Sequence, residues 1–194
     1  MSKRIAFLSA AAFGALALTA AVVAPVSAQD KMMKSEMSGE KTVMVGGAAM
    51  FPSKNIIQNA VNSKDHTTLV AAVKAAGLVE TLEGKGPFTV FAPTNAAFGK
   101  LPAGTVDTLV KPENKATLTK ILTYHVVAGK LEASSLTDGK KLKTVEGEQL
   151  TVKKSGDTVM IVDAKGGSST VTIANVNQSN GVIHVVDTVL MPAS

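Results

Sequence analysis

The sequence predicts an α+β fold, and three observations carry that prediction. Between about Asn55 and Leu122 apolar residues recur at helical spacing. From Tyr124 onward the period falls to about two, and turn residues interrupt the chain at short intervals. No fixed repeat of about 20 to 50 residues appears, so the periodic region reads as one module. Helices gathered ahead of strands argue against an alternating, doubly wound parallel sheet.

The elements follow in order. Asn55 to Val61 (NIIQNAV) is a short helix. Asp65 or Thr67 caps a second, in which Leu69, Val70, Val73 and Ala76 share a face and Gly77 stops the chain. Lys85-Gly86-Pro87 is a break, and Phe88 to Phe91 (FTVF) is a strand of β-formers. A third helix starts at Thr94 or Asn95 and buries Phe98 and Leu101. Pro112 and Glu113 suit the first turn of a fourth, with Leu118, Ile121 and Leu122 as its stripe. Strands are then expected at Tyr124 to Val127, Lys141 to Val145, Gln149 to Lys154, Thr158 to Asp163, Thr170 to Val176 and Val182 to Leu190. The last is nearly continuous in apolar residues, which places it near the middle of the sheet with both faces covered.

Ahead of these elements, Lys3 and Arg4 precede an apolar run from Ile5 to Pro25, and Val26-Ser27-Ala28 offers small residues for cleavage. Residues 1–28 are therefore expected to be a signal peptide and the protein to be exported, to the periplasm or beyond it. Without cleavage the same run is long enough to anchor in a bilayer. No cysteine follows it to carry a lipid. Residues 29–51 read as a flexible leader rich in lysine, glycine and methionine. Its Met32, Met33, Met37, Met44 and Met50 raise the question of cuprous copper, although no histidine joins them, and the plainer reading is a mobile segment without metal.

Cutting after Ala28 leaves 18 lysines, 15 acids and no arginine. Arginine is the two-pronged reader of phosphates and guanine edges, so a nucleic-acid partner is not expected. The absence of cysteine excludes thiol catalysis and thiolate metal sites. Three histidines, His66, His125 and His184, lack metal-binding spacing. H-E-x-x-H, G-x-S-x-G and phosphate-loop patterns are missing. Ser134, His125 and Asp187 could be assembled into a triad on paper. His184 and Asp187, three apart on a strand, should point to opposite faces. His125 and His184 read as neutral core imidazoles bonded within the interior. No cofactor and no enzymatic activity are expected.

Three segments together resemble the fasciclin domain family: Phe88 to Phe98 (FTVFAPTNAAF), Tyr124-His125 with Val126-Val127, and Asn180 to Pro192 (NGVIHVVDTVLMP). The tract from Met44 to Leu78 is similar to single-domain bacterial members. The resemblance spans residues 52–192 and implies a wedge of about seven strands packed with the N-terminal helices. It implies an exported, non-enzymatic domain for cell adhesion or matrix interaction, with a surface protein or polysaccharide as partner; one weak contact per domain then calls for weak self-association or surface display. In animal members the Tyr-His motif has been implicated in integrin binding, which would fall on Tyr124, His125, Val126 and Val127. The same residues can instead be a hydrogen-bonded hinge between helix and strand. Phe91, Thr94, Phe98 and His184 are the structural members of the motifs. The chain departs from animal relatives in having no Arg-Gly-Asp and in reading KPENKATL before the Tyr-His helix. The alternative function is a periplasmic small-ligand or lipid-binding module, with a pocket between helices and sheet.

Overall fold

A computed structural model describes residues 41–193. The proposed signal peptide and the leader up to residue 40, with Met32, Met33 and Met37, lie outside the described residues. Within the described part of the expected leader, β1 (Val43–Val45) and β2 (Ala48–Met50) form an antiparallel hairpin. Its turn is Gly46-Gly47, with φ of 58° and 75°. Two consecutive positive φ angles make a tight hairpin turn that glycine alone supplies without strain. Val45 and Met50 reach the core, while Met44 points outward and is 60% exposed. The two described leader methionines thus face apart and share no site.

Six short helices follow: α1 (Ile56–Ala60), α2 (Thr67–Ala76), α3 (Val79–Glu83), α4 (Asn95–Gly99), α5 (Thr105–Leu109) and α6 (Lys115–Tyr124). Asn55 closes a capping box over α1, its Oδ1 accepting the Gln58 N–H at 2.8 Å. Gly77 ends α2 in the left-handed region, as expected. The expected cap of α2 fails: a 3-10 turn, Lys64–His66, leads into it, and the N–H of Thr68 is bonded instead by Asn95 Oδ1 at 3.0 Å. That side chain comes from 27 residues downstream, so a local reading could not supply it.

Seven strands form one sheet in the order β4-β3-β9-β8-β7-β6-β5. They are β3 (Phe88–Pro93), β4 (Val126–Ala128), β5 (Lys141–Lys143), β6 (Gln149–Ser155), β7 (Thr158–Val162), β8 (Ser168–Gln178) and β9 (Gly181–Val186). All pairings are antiparallel except β3 with β9, which run parallel from Phe88↔Gly181 to Pro93↔Val186. The sheet curls until its two edges touch. Val127 bridges Thr144, and the Val145 N–H bonds Val126 O at 2.8 Å, so the edge carrying β4 meets the edge carrying β5. This contact covers part of both edge strands, and each edge strand is only three residues long, which limits the unpaired backbone left to template aggregation.

Curling creates two cores. Side chains alternate along β3 and β9, so Val90, Ala92, Ile183 and Val185 pack against the helices, whereas Phe91 and Val186 point inside the curl with Leu136, Leu150 and Ile161. The doubly covered β9 is buried at all six positions. It ends at Val186, four residues before the expected Leu190, because Asp187 turns its carboxylate onto the Thr170 N–H at 2.8 Å. Among the described residues no helix is long and apolar enough to cross a membrane.

Candidate functional site

The segment singled out for partner contact sits where α6 meets β4. Tyr124 is the last residue of α6, His125 keeps helical geometry as its cap, and the strand starts only at Val126. The expected strand from Tyr124 is therefore two residues too early. Periodicity fails there because Leu118, Ile121, Leu122 and Tyr124 are all inward-facing helical positions.

All four side chains are buried: Tyr124 at 0% exposure, His125 at 2%, Val126 at 5% and Val127 at 3%. None of the four presents its side chain at the surface, so a partner could reach these side chains only by opening the fold. Each is anchored inside. The Tyr124 hydroxyl accepts the Ala164 N–H at 2.9 Å and donates to Gln149 O at 3.4 Å, pinning the helix end to the β7–β8 turn and to β6. Burial pushes its pKa above the ordinary tyrosine value. His125 Nδ1 donates to Ile121 O at 2.8 Å, and Nε2 accepts the Leu190 N–H at 3.0 Å. Both nitrogens are thereby committed and the tautomer is fixed. Burial lowers its pKa to about 4, so the ring is neutral at pH 7.

His184 follows the same logic within the curl. Nε2 donates to Leu131 O at 2.8 Å and Nδ1 accepts the Asn175 N–H at 3.4 Å, while the ring stacks on Phe91 with centroids 5.6 Å apart. Burial lowers this pKa as well. The Asn175 N–H reaches the ring because the register shifts between Ile173 and Val176 and Asn175 takes a φ of 57°. His66, 3% exposed, pairs Nδ1 with Ser63 Oγ at 2.9 Å, and burial again lowers its pKa.

These arrangements leave no general base of the kind drawn on paper. A Ser134-His125-Asp187 triad needs an imidazole nitrogen free for the serine, and both are held by backbone groups. Asp187 is engaged elsewhere: its Oδ1 accepts the Thr170 N–H, and Oδ2 pairs with Lys100 at 3.4 Å. Burial alone would raise the pKa of that carboxyl, but the donors of Thr170, Thr188 and Lys100 hold it below the usual value. His184 and Asp187 share no hydrogen bond. Among the described residues no group of three histidines or acids could hold a metal ion.

The remaining motif members tie elements together. Thr94 Oγ1 accepts the Ala97 N–H at 3.2 Å and caps α4. Phe98 packs with the helical core, whereas Phe91 belongs to the core inside the curl, so the two phenylalanines serve opposite faces of β3 rather than one shared core. Sequence reasoning missed Asn180, read only as a turn residue. Its Oδ1 accepts the Ile56 N–H at 3.1 Å, and its Nδ2 donates to Leu82 O at 2.7 Å and Gly84 O at 2.9 Å. One buried amide thus joins α1, α3 and the start of β9. Next to it, a Cβ on Gly181 would collide with the backbone of Phe88, where the parallel ladder begins.

Between the helices and the sheet lies a largely enclosed apolar cavity of about 40 Å³, lined by residues including Met50, Leu69, Val73, Leu122 and Ile183. It occupies the place expected for a ligand pocket. Sites for drug-sized ligands run to several hundred Å³, roughly 300 or more, so this void is far too small for a lipid.

A family model described as the fasciclin domain matches residues 64–192. The Synechocystis protein sll1483 is 50% identical over 153 residues, covering 79% of this chain and 82% of its own. Immunogenic protein MPB70 of Mycobacterium bovis is 36% identical over 199 residues, covering 99% of this chain and 98% of its own. Cell surface glycolipoprotein MPB83 of the same species is 40% identical over 153 residues, 76% of this chain and 64% of its own. Among solved structures, a FAS1 domain pair from the insect cell adhesion molecule fasciclin I superposes with a TM-score of 0.65 at 17% identity. That match covers 73% of this chain and 52% of the pair, so this chain spans about half of it.

Proposed function

The chain belongs to the fasciclin domain family, and from that premise we propose that it is an exported, non-enzymatic interaction domain that works at the cell surface by contact with a surface protein or matrix polymer. The observation that carries this reading is the commitment of two of the three imidazoles. His125 and His184 each have both nitrogens bonded to backbone groups in the interior, which leaves the chemistry of those rings inside the fold and the outer faces for recognition. The names of the relatives support the setting: MPB83 is a cell surface glycolipoprotein, and fasciclin I is a cell adhesion molecule. The apolar run at residues 5–25 with its small-residue end supports export. A single domain with one weak contact gains strength from display in many copies or from weak self-association.

Deleting the gene and measuring attachment to surfaces and biofilm mass tests the reading. The expected result is a loss that the wild-type gene restores. Attachment unchanged by deletion would contradict it. A small-ligand or lipid carrier gains no support from the 40 Å³ cavity.

A further inference from the structure

The outer face of the curled sheet across β5, β6 and β7 carries a row of lysines with no acid on the same strands. Lys141 and Lys143 lie two residues apart on β5, which places them about 7 Å apart on one face. Lys141 pairs with Thr151 across the ladder, so Lys153, two residues further along β6, is its diagonal neighbour at about 7 to 8 Å. All three are exposed, while the intervening Leu142, Leu150 and Val152 point into the curl and are at most 3% exposed. The three strands, KLK, QLTVKKS and TVMIV, contain no aspartate or glutamate.

Most carboxylates near this face have other partners, Glu148 accepting the Ala193 N–H at 2.8 Å, while Asp157 stands exposed in the β6–β7 turn. Asp138 accepts the Lys154 N–H at 2.9 Å, Glu146 pairs with Lys120 at 3.6 Å, and Asp163 binds the N–H groups of Lys165, Gly167 and Met191. No ion pair among the described residues involves Lys141, Lys143 or Lys153. The remaining outward positions beside them are uncharged: Gln149, Thr151, Ser155, Thr158 and Met160.

We infer that this lysine row is a docking surface for an acidic polysaccharide, a polymer carrying carboxylates at regular intervals. The inference rests on the contact reading above and names the class of its partner. Charge complementarity selects a polyanion, since three unpaired cations at even spacing match a repeating charge. The composition selects among polyanions. Protein hot spots are built from tryptophan, tyrosine and arginine; the chain has no tryptophan, its single tyrosine is buried, and its one arginine is Arg4. Nucleic-acid binders add aromatic platforms for bases, and this face has none. Lysines among hydroxyls and one amide suit a hydrated, hydroxyl-rich chain.

The test measures binding of full-length exported protein to polygalacturonate, with dextran as the neutral comparison, at low and at physiological salt. The expected result is binding to polygalacturonate that weakens as salt rises. The triple variant Lys141→Gln, Lys143→Gln, Lys153→Gln should lose about tenfold or more in affinity, and the matching Lys→Arg triple should retain it. A control triple on the helical side, Lys64→Gln, Lys74→Gln, Lys111→Gln, removes the same charge from exposed positions and should leave affinity near wild type. Equal binding by the β5–β6 triple, equal loss in the control, or no preference over dextran would overturn the inference. An acidic protein captured in place of the polymer would overturn it too. Retention of the same variants on intact cells separates the two claims: a β5–β6 triple retained like wild type removes the lysine row alone, whereas a wild type that is not retained removes the contact reading itself.

Discussion

His125 Nε2 accepts the backbone N–H of Leu190 at 3.0 Å, joining the end of α6 to the segment that follows the last strand, 65 residues away in sequence. With Nδ1 donating to Ile121 O, the ring is a neutral cross-brace that has no room for a second proton.

Stability should therefore fall as the medium becomes acid. The folded pKa of His125, about 4, lies below its unfolded value of 6.5, so between these pH values the unfolded chain binds more protons than the folded one. Its contribution is complete above pH 6.5, declines as pH falls, and is fully lost below about 4; the whole interval is worth about 3 kcal/mol. His66 and His184, both lowered, act in the same direction, and Asp187, also lowered, adds a loss at still lower pH. Urea unfolding midpoints should hold nearly level from pH 7.5 to about 6.5 and then drop steadily toward pH 4. A flat profile would mean that the imidazoles are solvated.

His184→Asp should destabilise by roughly 3 to 5 kcal/mol, because a carboxylate would stand on Phe91 inside the curl facing the Leu131 carbonyl. Chemical denaturation of the purified variant checks this. A cost within about 0.5 kcal/mol, typical of a surface site, would refute the assigned burial.

Asn180→Ala should cost about 3 kcal/mol, since it leaves the Ile56 N–H and the carbonyls of Leu82 and Gly84 without their partner in the interior. Hydrogen exchange should show the Ile56 amide losing protection first. Unchanged protection there would place the amide of Asn180 outside the structural frame.

Much of this frame was legible in the sequence, and particular residues show why. The switch from helical to alternating spacing located the helices and the sheet, and Asn55 at the start of α1 and Gly77 at the end of α2 acted locally, so local reading found them. Helices α3 and α5, five residues each, give barely more than one turn of periodic signal and, unlike α1 and α4, have no side-chain cap to mark their start, so they were not expected. The β1–β2 hairpin carried its signal in Gly46-Gly47 between apolar runs, hidden by the methionine- and lysine-rich composition around it. Long-range partnerships were out of reach: the touch of β4 on β5, the amide of Asn180 and the Leu190 brace depend on tertiary approach. The Tyr-His segment stood out through its resemblance to the fasciclin family, and the burial of its side chains depends on tertiary packing that local reading does not reach.

The central claim is that the interior groups hold shape and that recognition happens outside. Retention of purified wild-type protein on intact cells, measured beside Tyr124→Phe, tests it most directly. Removing that hydroxyl frees the Ala164 N–H and the Gln149 carbonyl, at a cost of about 1 to 2 kcal/mol, without exposing a new surface. The account predicts saturable retention of both proteins with equal affinity, the variant melting lower. Retention lost in Tyr124→Phe while its folded spectrum persists would contradict it, for the buried motif would then be the contact itself.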